Sequence, residues 1–379
     1  MKAKSIKGKN TVEIKDALEK SMADGFKPTL AVVFISEENE RDAVCQILSD
    51  KGVRIFGASA GNEFIDGDFE NISIAILLLE MNPAYFQVQL LHANEPSKIS
   101  IAEQIGNSGK KIFSSPAFLI VSGGLITDGD EIVAGIENTA GKGVNLFGGL
   151  AADNMKMEKT YVFTNDELTD NGLLALILDE DRINLTGLAV GGWNPIGNEK
   201  TITQSKGNIV YTIDDEPAFD FITRYSGIKK TDLEKGVAIA ISSNFQLQLQ
   251  RENKHPVMRT PMYVNKEDGS IVFAGSLPQG SKVRLSMLPG FEVIEASLNE
   301  FAQCKNKQLD AEALIMFSCA GRQIALGPYV SEEINGIKKI WDVPMAGFFC
   351  FGEIGRVAND KIEFHNMTCS LAILKEKRN

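Results

Sequence analysis

Apolar positions four apart, Ile14, Leu18 and Met22, predict an amphipathic helix from Thr11 to Ala23, with Asn10 and Glu13 as a capping pair and Gly25 as its stop. Beyond it the pattern changes to short, wholly apolar runs, which read as strands buried on both faces. One such run ending in serine occurs three times: TLAVVFIS to Ser36, AFLIVS to Ser122 and ALIMFS to Ser318. A helical stretch follows each. Next comes a strand whose valine stands four residues before a glycine: Val53 and Gly57, Val144 and Gly148, Val343 and Gly347. An acidic residue lies five or six positions on, as Glu63, Asp153 and Glu353, and each copy closes with another apolar run, ISIAILLL from Ile72, LLALIL from Leu173 and CSLAIL from Cys369.

The repeated unit is therefore strand, helix, glycine-bearing strand, strand, with the last two expected to pair antiparallel because only a loop joins them. The fold class is α/β in the mixed α+β sense: repeated units forming mixed sheets flanked by helices, in two tandem modules. The stretch from about Gly191 to Lys282 breaks the pattern. It holds the polar segment NPIGNEKTITQSKGN, read as a loop, a helix with Pro217 in its first turn, and the alternating NFQLQLQ, read as a strand wet on one side. A domain boundary falls near residue 215, giving modules of 28–214 and 215–373.

At 379 residues the chain has room for two or three cores. Its 39 Lys plus Arg against 50 Asp plus Glu give a net charge of −11, which argues against nucleic acid and anionic lipid as partners. The basic start lacks the apolar stretch of a secretory signal, and the longest apolar run, Ile74 to Leu79, is far short of a membrane span. Five cysteines (Cys45, Cys304, Cys319, Cys350, Cys369) without a C-x-x-C pair fit reduced thiols, so a cytoplasmic protein without membrane insertion is expected.

Several signatures dissolve on inspection. GIENTAGKG from Gly135 has the wrong spacing for a phosphate loop and reads as a helix C-cap. The segments around Asp66 and Asp128 lack the alternating acids of a calcium loop and read as solvated turns. Three histidines without helical spacing offer no metal centre; His92 is read as ending a strand and His255 as lying in a loop. No cofactor is expected. What remains are the glycine segments at strand ends. In FSCAGR, Cys319 ends a buried strand and Arg322, beyond Gly321, is placed to return toward the thiol or clamp a carboxylate, against the plainer reading of Cys319 as a small buried hydrophobe. Glu353 in FGEIG and Asp153 in AADN are ligand contacts or caps on turn N–H groups, Asn366 and Thr368 are placed to pair with either, and Trp193 reads as a plug. The candidate ligand-binding set is Ser59, Glu63, Gly148, Gly149, Asp153, Asn154, Cys319, Arg322, Glu353 and Asn366.

The segments FGASAGNEF, FGGLAADN, LAVGGWNPIG, DGSIVFAGSLPQGSKVRL, FSCAGR, AGFFCFGEIG and HNMTCSL, in that order, resemble the FIST domain proteins, with FIST N and FIST C modules in tandem over about residues 28 to 373. Two departures from that family stand out: Ala58, Ser59 and Ala60 stand where it usually has Cys, Ser and Thr, and Asn62 where it usually has Gly. The resemblance implies an intracellular sensory module that binds a small, amino-acid-like ligand and signals. With so little chain outside the match, a stand-alone sensor acting through a separate signalling protein is expected, with an anionic group on the ligand held by Arg322. Two other classes stay open: an enzyme, hydrolase or transferase, acting on a small carboxylate with Cys319 as nucleophile and His365 as base, and a protein-interaction module.

Overall fold

The computed structural model describes the chain except residues 71–72, 96, 227–245, 253, 288–289, 309, 358–360 and 378–379. Ile72 and the first two residues of NFQLQLQ therefore lie outside the described residues. The opening helix spans Thr11–Met22; the Asn10 side chain accepts from the Glu13 N–H at 3.0 Å, and Gly25 beyond it has φ +88°.

The three repeated units build three six-stranded sheets of one plan. In each, the serine-ended strand pairs in parallel with the glycine strand: Leu30–Ile35 with Arg54–Ser59, Pro116–Gly123 with Leu146–Leu150, and Ala313–Cys319 with Met345–Cys350. A parallel pair needs a crossover. It is supplied by the helices Arg41–Ser49, Gly129–Ala140 and, in the third unit, Ala320–Leu326 with Val330–Trp341. Val33, Ile120 and Met316 face Gly57, Gly148 and Gly347, so the three glycines are equivalent. Ser122 and Ser318 are equivalent too, whereas Ser36 lies one residue further on, just outside its strand.

The closing strands Ile74–Glu80, Gly172–Asp179 and Cys369–Glu376 are antiparallel, but to the first strand of the unit and not to the glycine strand. The glycine strand's other edge is taken by a hairpin from a different unit. Gly61–Ile65 and Asp68–Glu70 extend the third sheet beside Met345–Cys350, Val162–Phe163 and Leu168–Thr169 extend the first beside Arg54–Ser59, and Glu353–Arg356 and Ile362–His365 extend the second beside Leu146–Leu150. The exchange is cyclic. Gly57 is required by it: an added Cβ would lie 2.3 Å from the Phe163 ring, and at Gly347 one would lie 2.5 Å from the Phe64 ring. Each sheet is completed by an outer strand not foreseen in the repeat, Lys2–Gly8, Phe86–His92 and Ile183–Val190, antiparallel to the closing strand.

The register also corrects the acidic series. Glu63 and Glu353 hold the same position, opposite the residue after the glycine, but in the second unit that position is Val162, and Asp153 lies earlier, in a loop.

Between the outer strand and the first helix (Glu292–Gln308) of the third unit the chain inserts an eight-stranded antiparallel sheet with its own core around Phe221, Phe273 and Leu247. The polar segment read as a loop is its longest strand, Asn194–Lys206, with a register shift between Ile196 and Lys200 where Gly197 takes φ +68°. The helix after Pro217 spans Ala218–Ser226. The strand Gln246–Leu249 is covered on both faces: Gln246 accepts from the Thr260 hydroxyl at 2.6 Å, and Gln248 donates to the Trp193 carbonyl at 3.4 Å. Two matched polar side chains are what let it lie dry.

Candidate functional site

Cys319 ends the buried strand at the start of a short helix, and that helix turns Arg322 inward. Arg322 is fully buried, and all five of its N–H donors are engaged: two on the Glu333 carboxylate at 2.9 and 2.7 Å, the others on the Gly191 and Met367 carbonyls and the Ser297 hydroxyl. No donor is left for a ligand carboxylate. The expected anion clamp is a structural ion pair.

Cys319 faces a small apolar cleft. The walls are Met155 and Met157 from the loop after AADN, Thr260 to Met262 from the inserted sheet, Cys319 to Gly321, and Cys350 with Phe351. Its volume is about 20 Å³, room for a single water-sized guest. The loop is shaped by residues the sequence singled out. Asp153, fully buried, accepts from the N–H groups of Met157, Glu158 and Lys159, while Asn154 accepts from the Asn62 N–H and donates to Ser36. Asn154, Met155 and Met157 sit at φ +53°, +63° and +56°, a conformation unfavourable to side chains other than Gly, Asn and Asp.

A second cavity, of about 270 Å³, is linked to the cleft by a packed cluster of Trp193, Met258, Cys319 and Met367, of which Cys319 lines the cleft and Trp193 and Met258 line the cavity. It is lined by Ala189 to Trp193, Gln248, His255 to Met258, Glu300, His365 and Thr368. Trp193, read as a plug, is one: its indole N–H donates to the Met367 carbonyl at 2.9 Å. Met367 itself has φ +61°. Burial raises the Glu300 carboxyl and His255 partly offsets it.

Glu353 is fully buried and bonds one lining residue of each cavity, Cys350 and Thr368. Its Oε2 accepts from the Thr368 N–H and hydroxyl at 3.1 and 2.8 Å, and Cys350 Sγ donates to Oε1 at 3.3 Å. Glu63 repeats this device at the equivalent place, accepting from the Ser73 N–H and hydroxyl at 3.1 and 3.0 Å. Each glutamate thus ties an exchanged hairpin to the start of its own unit's closing strand. Burial pushes both carboxyls up to about 8. Asn366 bridges the inserted sheet to the third unit, accepting from the Thr260 N–H at 3.0 Å. Ser59 accepts from the Tyr161 N–H at 2.9 Å inside the first sheet, and Gly148 and Gly149 pair with Ile354 and Glu353.

Of the ten candidate residues, Cys319 alone lines the cleft; Asp153, Asn154, Glu353 and Asn366 fix its walls, and Ser59, Glu63, Gly148 and Gly149 hold the sheets together. Asp66 does sit in a half-exposed turn, though its side chain is tied to neighbouring elements, whereas Asp128 is not solvated. Asp66 accepts from the Met345 N–H at 2.9 Å and the Ser5 hydroxyl, and Asp128, largely buried, caps the Gly129–Ala140 helix and accepts from Ser276 at 2.6 Å. GIENTAGKG does end that helix, with Gly141 at φ +110°.

A Cys319 nucleophile is not supported by this geometry. Burial, reinforced by Glu353, pushes its thiol far up, Sγ rests 3.9 Å from Met367 Sδ, and His365, held neutral by burial that lowers it to about 4, bonds the Gly355 carbonyl and opens onto the other cavity. Among the described residues no group of three or more His, Cys, Asp or Glu is placed to hold a metal ion, and no helix is long and apolar enough to cross a membrane.

Three equivalent mixed sheets with both cavities at the junction of two sequence modules define the class. The chain belongs to the FIST family: the FIST N domain matches residues 29–216 and the FIST C domain residues 218–356. FIST domains are associated with sensing in signal transduction. No curated protein matches the chain significantly. Asn62 has φ +55°, so the position where the family usually has Gly needs a residue tolerant of left-handed backbone, and Asn meets that need.

Proposed function

We propose that the chain is an intracellular sensor that takes a small polar, amino-acid-like compound in the 270 Å³ cavity and passes occupancy to a separate signalling protein. The observation that carries this reading is the make-up of the cavity: its walls come from the GGW, HP and HNMT segments of both modules, and from three bodies, the third sheet, the inserted sheet and the long helix carrying Glu300. The 20 Å³ cleft is too small for such a ligand.

The polar groups define the ligand. With Arg322 engaged by Glu333, the anion-clamp idea gives way to the opposite charge: the Glu300 carboxylate and the Trp193 ring favour an ammonium group, and His255 at the mouth can donate to a carboxylate. The inserted sheet has its own core and contributes Gln248, Val257 and Met258, so it is the body that ligand can draw in.

A thermal-shift screen of amino acids and small amines tests the reading. One compound should raise the melting temperature of the wild-type protein, with its affinity reduced on the order of tenfold by Glu300→Gln. Stabilising compounds whose affinity is the same in Glu300→Gln and His255→Ala would remove the cavity from consideration.

A further inference from the structure

The apolar cleft has walls unusually rich in sulfur: the thiols of Cys319 and Cys350 and the thioethers of Met155, Met157 and Met262. We propose that this cleft is a binding site for one soft monovalent metal ion, Cu(I) or Ag(I), distinct from the polar cavity.

Three observations converge. Cys319 and Cys350 are register partners on adjacent parallel strands, so their side chains leave the sheet on one face about 4.8 Å apart, and both are free thiols. Two metal–sulfur bonds of about 2.3 Å, end to end, span that separation. The 20 Å³ volume suits one atom and no metabolite. Met155 and Met157 line the cleft from a loop that holds both in left-handed backbone, and strain of this kind gathers at functional sites.

The donor set decides the metal. Thiolate and thioether ligands select Cu(I), whereas zinc and calcium need nitrogen or oxygen donors or four thiolates; Thr260 supplies the hydroxyl on these walls, and the nearby Glu353 carboxylate is already engaged by Thr368 through Oε2 and by Cys350 through Oε1. Binding exchanges one ion for one proton: one thiol S–H bond breaks as its metal–sulfur bond forms, the proton leaves to solvent, the second thiol binds through a sulfur lone pair with its S–H intact, and the dry site stays neutral. No electron is transferred, because the ion enters already monovalent.

Native mass spectrometry of the full chain with Ag(I), and with Cu(I) under a reductant in competition with a chromogenic chelator, reads this directly. One ion per chain should be retained, Zn(II) should not be, and Cys45→Ser should behave as wild type. Cys319→Ser/Cys350→Ser should lose the ion. Should that variant fold poorly, Met155→Leu/Met157→Leu, which keeps the thiols and replaces residues on the loop, should weaken binding on the order of tenfold. No retained Ag(I) in the wild type, or full retention in a folded variant of either pair, overturns the proposal. The amino-acid screen, run on metal-free protein, succeeds or fails independently.

Discussion

Arg322 and Glu63 show how a side chain's neighbours, more than its type, set its role. Arg322 follows a buried thiol in sequence, which made it legible as a clamp, but the partner that claims it, Glu333, sits on the next helix, and nothing local in FSCAGR announces that pairing. Replacing it with Lys keeps the charge and loses the fork, so Arg322→Lys should lower stability by on the order of 2 kcal/mol or more, seen as a melting temperature reduced by several degrees in ligand-free protein. An unchanged melting temperature would return Arg322 to the ligand-binding candidates. Glu63 yields a pH prediction. Its folded carboxyl titrates at about 8, above its unfolded range near 4.5, so the protonated form is the one the fold favours. Its contribution is complete below about 4.5 and is lost as pH rises through about 8, on the order of a few kcal/mol in all. Glu63→Gln should therefore flatten the fall in denaturant stability between those pH values; an equally steep fall in the variant would show that other groups cause it. Met155 and Met157 escaped the sequence reading because methionine in a loop carries no periodicity and ordinarily reads as filler.

At the level of elements, the parallel pairs were legible: strands buried on both faces appear as unbroken apolar runs, and the constant Val-to-Gly spacing aligned the three copies correctly in the structure. The hairpins were not. A short loop makes Gly61–Ile65 or Glu353–Arg356 look like the next strand of its own sheet, and no local pattern encodes which distant edge it will join. What the sequence does hold in two of the three sheets is the complementary hole, since Gly57 and Gly347 leave space for the arriving rings of Phe163 and Phe64. Gly57→Ala should push against Phe163 and cost about 1–3 kcal/mol, and Gly57→Ala/Phe163→Leu should recover part of the loss. Equal destabilisation in the single and double variants would mean that the hairpin is not seated there.

For the whole molecule, the cyclic exchange changes what the two sequence modules can do. Sheets two and three each contain strands from both sides of residue 217, so the modules cannot swing about a hinge without shearing backbone ladders. Expressed alone, residues 1–216 should leave Leu146–Leu150 as an open edge and should aggregate or bind residues 217–379 supplied separately, as read by size-exclusion chromatography of co-expressed halves. A soluble, monomeric, cooperatively melting 1–216 would contradict this.

The same topology dictates an order of events during synthesis. The second sheet's strands from Phe86 to Asp179 emerge early, yet the hairpin that seals the Leu146–Leu150 edge, Glu353–Arg356 with Ile362–His365, is translated only after the whole inserted sheet. At about 5–20 residues per second the nascent chain carries an unsealed edge for on the order of ten seconds or more. For this protein the ribosome is thus the most dangerous place to be. Its abundance in a cell should respond more sharply to chaperone supply and to translation speed across the inserted sheet than the stability of the finished molecule would indicate.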